Sequence, residues 1–271
     1  MTTLLWISIV TILIILLILM IQFHLFIPGG KGFPVLMYHK IRDAKPDGLT
    51  VTPRQFEDHL KYLNRKGYRS LIFRDLSELE QEGKDIPPRS IILTFDDAYE
   101  NYEKEALPLL RKYGFQATLL VPVGFMGGVN EWDQGSDPIL GAESLRAIAS
   151  EGITEIGLHS MMHGNYSRMT PEEVLADLGM CSQTLEAAQI PFTRVLAYPY
   201  GAYPRKDPAK KEEMFNALSC FGLLFALRIG NRLNRWPVKS RYEITRTDIR
   251  GTDTFFTFKT KVKKGRSKLF A

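Results

Sequence analysis

The stretch "SIILTFDDAYEN" (Ser90–Asn101) is an uninterrupted apolar run that stops on two adjacent aspartates. A short β-branched and apolar run without alternation describes a strand buried on both faces, as in a parallel sheet. Asp96 and Asp97 stand where that strand ends and a helical pattern (101–113) begins. A single Asp there reads as an ordinary helix cap. Two neighbouring carboxylates at the end of a buried strand repel each other unless positive charge intervenes, and a divalent cation would supply it.

Outward from this stretch the same pattern repeats. Strand-like runs occur at 33–39, 68–73, 90–96, 116–123, 153–159, 194–199 and 221–227. Helical patterns lie at 52–67, 75–83, 101–113, 142–151, 170–189 and 209–218, and Thr52-Pro53 and Thr170-Pro171 each provide a cap followed by proline at the first helical position. Seven strands alternating with helices predict parallel βα units and an α/β fold. Functional residues of such folds gather where strands end. His39, Asp96, Asp97, His159 and the "YPYG" of 198–201 occupy those ends. In "GLHSMMHGNYS" (157–167), His163 follows His159 by four residues, a spacing at which one helical turn lets two imidazoles share a metal. Two imidazoles and one aspartate are the donor set of a catalytic zinc site with a position left for water.

The chain has 271 residues, of which 45% are hydrophobic and 24% charged, which suits one large α/β domain. Leu4 to Ile27 contains no Asp, Glu, Lys or Arg, and as a helix would be about 36 Å long against a hydrocarbon core of about 30 Å. With neither a basic leader nor a small-residue cleavage site, it reads as a retained single-pass anchor and not as a signal peptide. Lys31, Lys40, Arg42 and Lys45 follow the span, so the positive-inside tendency leans the domain toward the cytoplasmic side. The tail "KTKVKKGRSKLFA" (259–271) carries six basic residues and no acid, close after Phe255, Phe256 and Phe258, and suits either solvent or an anionic membrane surface. No nucleic-acid partner is expected. Cys181 and Cys220 show neither metal nor disulfide spacing.

"TFDD" (94–97), "HSMMH" (159–163) and "LAYPYGAY" (196–203) closely resemble, in order and spacing, the three leading motifs of the polysaccharide deacetylases of carbohydrate esterase family 4, the NodB-homology domain. "PVLMYHKI" (34–41) and "RYEITRTDIRGTD" (241–253) resemble the branch associated with bacterial exopolysaccharides. The resemblance implies a distorted (β/α)7 barrel over 34–253, after an anchor (1–27) and a linker (28–33) and before a basic amphipathic tail (254–271). It also implies a divalent metal, zinc first and cobalt, nickel or iron as alternatives, held by Asp97, His159 and His163. Asp96 would be the general base. The backbone N–H of Tyr200, shaped by Pro199 and Gly201, would stabilise the oxyanion. The implied substrate is an N-acetylated surface polysaccharide or its lipid-linked precursor at the bacterial inner membrane, the products being acetate and a free amine. A deacetylase or deformylase of a lipid-linked amino sugar is one rival, and a carbohydrate-binding protein without turnover is another.

The chain departs from the family in two places. No histidine follows His163, so the proton for the leaving amine needs another source, with His39 or Asp96 itself as candidates. Ala197 stands where many members carry an arginine that orients the base, and Arg246 is the expected replacement through a hydrogen bond to Asp96. Trp132, in the Gly/Asn-rich loop 127–137, is a candidate platform for a sugar ring.

Overall fold

The computed structural model describes residues 2–22, 32–133 and 135–267. The last residues of the expected anchor, most of the expected linker and the end of the basic tail lie outside the described residues. Helix α1 (Thr2–Gln22) is apolar on every side and exposed from Thr3 to Leu19, long and apolar enough to cross a membrane. A signal segment has the same features.

The domain proper begins with β1 (Val35–Tyr38), the short pair β2 (Lys40–Ile41) and β3 (Thr50–Val51), and α2 (Pro53–Arg65). Next come β4 (Arg69–Ser70), α3 (Phe73–Gln81) and β5 (Ser90–Phe95). A π-helical turn (Tyr102–Ala106) leads into α4 (Leu107–Tyr113), followed by β6 (Ala117–Val121), α5 (Ala142–Ser150) and β7 (Thr154–Leu158). The remainder is α6 (Pro171–Ala187), β8 (Val195–Ala197), α7 (Pro208–Cys220), β9 (Phe225–Ile229), β10 (Ile244–Asp248) and α8 (Phe255–Lys264). Thr52 and Thr170 cap their helices as expected, and each also closes a capping box, with Gln55 and Glu173.

Seven parallel strands close a ring in the order β1, β5, β6, β7, β8, β9, β10 and back to β1. This is the predicted (β/α)7 barrel, with one exchange of membership. The run at 68–73 yields only the two residues of β4, which pair with Ser90 and Ile91 at the start of β5 and stand outside the ring. The seventh place belongs to β10, whose buried interior includes Thr245, Arg246 and Thr247. Polar side chains inside a closed barrel hide such a strand from an apolar-run criterion.

Alternation along each strand sorts side chains between two cores. Leu36, Leu93, Phe95, Leu119 and Leu196 face the helices, whereas Val35, Ile92, Leu120, Val195 and Ile244 fill the barrel. A β-carbon on Gly157 would meet Val195 at 2.6 Å and Leu120 at 2.8 Å, so only glycine fits the barrel interior there. Continuing the inward series upward, Thr94 leads to Asp96, Ile244 to Arg246, Met37 to His39 and Gly157 to His159. One pole of the barrel thereby collects the polar residues. At the opposite pole the Glu155 carboxylate accepts the backbone N–H groups of Phe73 (3.0 Å) and Arg74 (2.9 Å), capping α3. Phe33, through its bridge to Asn234, brings the chain into the barrel at that same pole.

The segment following residue 253 is part of this fold. Thr254 caps α8, Phe258 and Val262 are buried, and the Lys261 ammonium donates to the Asp248 carbonyl (2.7 Å) and Asp253 (2.6 Å). Phe258 stacks on His59 with ring centres 3.7 Å apart, while Phe255 and Phe256 remain about half exposed. Replacing Phe258 by alanine is expected to cost about 3–5 kcal/mol in urea unfolding, the usual range for a buried aromatic. Burial pushes the His59 pKa down to about 3, so folding disfavours its charged form. Its contribution is therefore intact above its ordinary pKa of about 6.5 and is lost as the pH falls toward 3. His59→Asn is expected to flatten the fall in stability below pH 6, measured by the same unfolding series.

Candidate active site and metal centre

The polar pole of the barrel opens into a cavity of about 400 Å³ lined by His39, Asp96, Asp97, Trp132, His159, His163, Tyr200 and Arg246, among others. Asp97 turns off β5 with a positive φ of 71°, which swings its carboxylate back over the barrel beside that of Asp96. Its Oδ1 lies 3.4 Å from Nε2 of His159 and 3.4 Å from Nε2 of His163. That oxygen is buried and accepts no hydrogen bond. His159 directs its Nδ1 at the Ala197 carbonyl, 2.8 Å away, and only a donating N–H suits that contact. Nε2 of the neutral ring then carries a lone pair toward Asp97. Burial holds His159 in that neutral form by pushing its pKa down to about 4. Candidate ligand atoms of Asp97, His159 and His163 thus converge, all within 4.8 Å of one another. These residues fit a divalent cation, and nitrogen and oxygen donors in this number suit zinc.

Asp96 has a different partner. Arg246, 1% exposed inside the barrel, grips both of its oxygens, Nη2 donating to Oδ2 at 2.8 Å and Nη1 to Oδ1. Burial alone would raise the Asp96 pKa; the Arg246 guanidinium, helped by His159 and His39, more than offsets it and holds the group below the usual carboxylate range. His39 brings Nε2 to 3.9 Å from Asp96 Oδ2. Arg246 therefore occupies the place next to the base that Ala197, with no functional side chain, cannot fill.

The loop carrying the histidines is held by a clamp that no motif announces. Asp177, on α6, accepts from the Ser160 hydroxyl (3.1 Å), the Met161 N–H (3.0 Å) and the Tyr166 hydroxyl (2.5 Å). Ser160 Oγ in turn accepts from the Gly164 N–H at 2.8 Å. Ser160 is thus the latch of the 159–164 turn. Its one legible signal is an Asp on the buried face of an otherwise ordinary helix. Segment 159–163 is also not helical, so the four-residue spacing acts through a tight turn in which Ser160 (φ 68°) and His163 (φ 50°) are both left-handed. Tyr200 is left-handed as well, at φ 59°, and Gly201 follows at 64°, where a β-carbon would press on Ile229. Five of the eight non-glycine residues with positive φ among the described residues line this one site or lie beside it. Such strain is held where surrounding structure over-determines it.

Trp132 reaches the cavity, but one face of its indole is stacked on His163, with ring centres 4.2 Å apart and 13° between planes. That face is closed to a sugar. Lys40 and Arg42, two of the flanking basic residues that suggest a membrane side, are tied into this region: Lys40 pairs with Asp133 (2.8 Å) and Asp137 (2.7 Å), and Arg42 with Asp137. The barrel accounts for them without a membrane.

The sequence model for polysaccharide deacetylases matches residues 83–214, the span holding both aspartates, both histidines and the 198–201 turn. Over residues 83–214 the chain carries a polysaccharide deacetylase domain. A Bacillus subtilis polysaccharide deacetylase, YxkH, is 29% identical over 170 residues, covering 63% of this chain and 57% of the relative. The poly-beta-1,6-N-acetyl-D-glucosamine N-deacetylase of Staphylococcus aureus strain N315 is 24% identical over 188 residues, covering 61% of this chain and 63% of the relative. The chain thus spans about three fifths of the length of these curated relatives. Among solved structures, IcaB from Ammonifex degensii superposes with a TM-score of 0.69 at 19% identity over 86% of this chain and 96% of that one. The Bacillus anthracis polysaccharide deacetylase BA0330 gives 0.66 at 23% over 86% and 69%. The two structures share the fold.

In the deacetylase domain, Asp177→Ala leaves the Ser160 and Tyr166 hydroxyls and the Met161 N–H without their acceptor. Removing a shared buried acceptor is expected to cost at least about 1–3 kcal/mol. It should also weaken zinc binding, read by competition with a chromophoric chelator. Wild-type zinc affinity would show that the clamp does not shape the histidine turn.

Proposed function

We propose that the chain is a metal-dependent N-deacetylase of an amino-sugar polymer at a bacterial surface, releasing acetate and leaving a free amine. The observation that carries this reading is the division of labour between adjacent carboxylates: Asp97 converges with His159 and His163 on one point, while Asp96 is held apart by Arg246. A divalent cation at the first position, with zinc the best match and cobalt, nickel or iron able to use the same donors, supplies Lewis acidity toward the amide carbonyl and toward water. The protein's own groups do the rest. Asp96 accepts the proton of the attacking water, and Arg246 keeps the carboxylate ionised and oriented for it. The backbone N–H of Tyr200, set by its left-handed turn between Pro199 and Gly201, donates to the oxygen that becomes negative as the carbonyl turns tetrahedral. The C–N bond breaks as the amine nitrogen gains a proton, delivered by His39 directly or by Asp96 with His39 beside it. This completes acid–base chemistry without a histidine after His163.

The polymer substrate is supported by the Staphylococcus aureus relative, whose name gives it a poly-β-1,6-N-acetylglucosamine substrate.

Arg246→Ala is expected to lower acetate release from N-acetylglucosamine oligomers by about 10²–10⁴-fold, the usual scale of acid–base assistance. Its zinc content should stay at the wild-type level. Asp96→Asn should behave alike, whereas Asp97→Ala should lose both zinc and turnover. Unchanged turnover in Arg246→Ala would remove the proposed role of that arginine, and no acetate release from zinc-loaded wild type would favour a sugar-binding protein without turnover.

A further inference from the structure

The two histidines of the site are held in different ways. His159 is fixed by a hydrogen bond from Nδ1 to the Ala197 carbonyl. His163 has no such bond: its Nδ1 is buried and has no hydrogen-bond partner. A metal-binding imidazole usually depends on its second nitrogen for orientation, so His163 needs another restraint. Contact supplies it. Trp132 lies flat on the ring, 4.2 Å between centres, and Tyr200 meets it edge-on at 4.7 Å.

Trp132 packs edge-on against Phe125, ring centres 5.0 Å apart, at the margin of the helix-side core, while its indole N–H is buried without a partner. Its polar tether is the residue that follows it. Asp133 accepts from the Lys40 ammonium at 2.8 Å and from the Tyr99 hydroxyl at 3.2 Å. Lys40 also reaches Asp137, at 2.7 Å, on the far side of the same loop, and lies 4.7 Å over the Tyr99 ring. It is 3% exposed, and the proposed reaction does not use it. Removing its charge would leave Asp133 with the Tyr99 hydroxyl as its one partner, whereas Asp137 would keep Arg42.

We propose that Lys40 is a positioning residue of the metal site: by pinning Asp133 it presses Trp132 against His163 and sets the direction of that ligand. The proposal rests on reading Asp97, His159 and His163 as metal ligands. It also assigns Trp132 to the support of a ligand in place of a sugar platform.

The test uses the full chain, stripped of metal and titrated with zinc against a chromophoric chelator, with cobalt absorption as a probe of ligand geometry and thermal unfolding of the metal-free protein as control. Lys40→Met is expected to weaken zinc binding about 10- to 100-fold, the range for residues that orient a ligand, and to change the cobalt spectrum. Trp132→Leu should do the same. The double variant should lose little more than the worse single, because both changes break one path. Lys40→Arg should restore most of the affinity. Lower thermal stability with wild-type zinc affinity and an unchanged cobalt spectrum in Lys40→Met would overturn the proposal. Should Lys40→Met fail to fold, Asp133→Asn takes its place, since it keeps the Lys40–Asp137 pair and weakens only the link next to Trp132; wild-type affinity there would overturn the proposal equally. A wild-type protein that binds no zinc would instead sink the metal-site reading beneath it.

Discussion

Asp96 and Asp97 are consecutive, buried, and end the same strand, so each needs its own source of positive charge. Much of the upper barrel can be derived from that requirement. For Asp96 the answer is covalently present: an arginine inside the barrel, gripping both carboxylate oxygens from β10. A guanidinium keeps its proton and its charge at any working pH, so it holds the resting Asp96 ionised and in a fixed orientation. For Asp97 the neighbours are two imidazoles, one of them held neutral by burial, and the carboxylate oxygen between them accepts no proton from either. A cation of higher charge completes that arrangement better than any side chain nearby. The separation of a base from a metal ligand is thus a matter of environment, since the two residues are chemically identical.

The barrel provides rigidity and the loops provide direction. Strand alternation sends Asp96, Arg246, His39 and His159 inward with no special backbone, whereas Asp97, Ser160, His163 and Tyr200 all require left-handed conformations. Two of these second positions receive bracing from outside their own turn. The Asp177 clamp braces Ser160, and the Trp132 stack, tied to Lys40, braces His163.

What the sequence makes legible follows the same division. Strand periodicity makes legible the parallel α/β class and the strand ends at Asp96 and His159, while the barrel and an arginine beside the base come from the family resemblance. The order of short motifs added His163 and the 199–201 turn. The late strand that carries Arg246 is legible as a strand but not as the ring's seventh member, because β10 carries polar side chains into a polar cavity, and 68–73 mimics that member with an apolar run that serves mostly as the lead into α3. Ser160, Asp177 and Lys40 were not legible as supports because their partners lie 17, 11 and 93 residues away in sequence, joined only when the chain closes. Phe258 belonged to a segment read from its charge, yet what decides that segment's place is one aromatic face resting on His59.

The most direct test of the account is a titration of the metal-free protein with zinc, following acetate release from β-1,6-linked N-acetylglucosamine oligomers at each addition. The account predicts no release at the start and a rise in proportion to zinc that levels off at one equivalent. Full release by the metal-free protein, or release that is indifferent to added zinc, would contradict it.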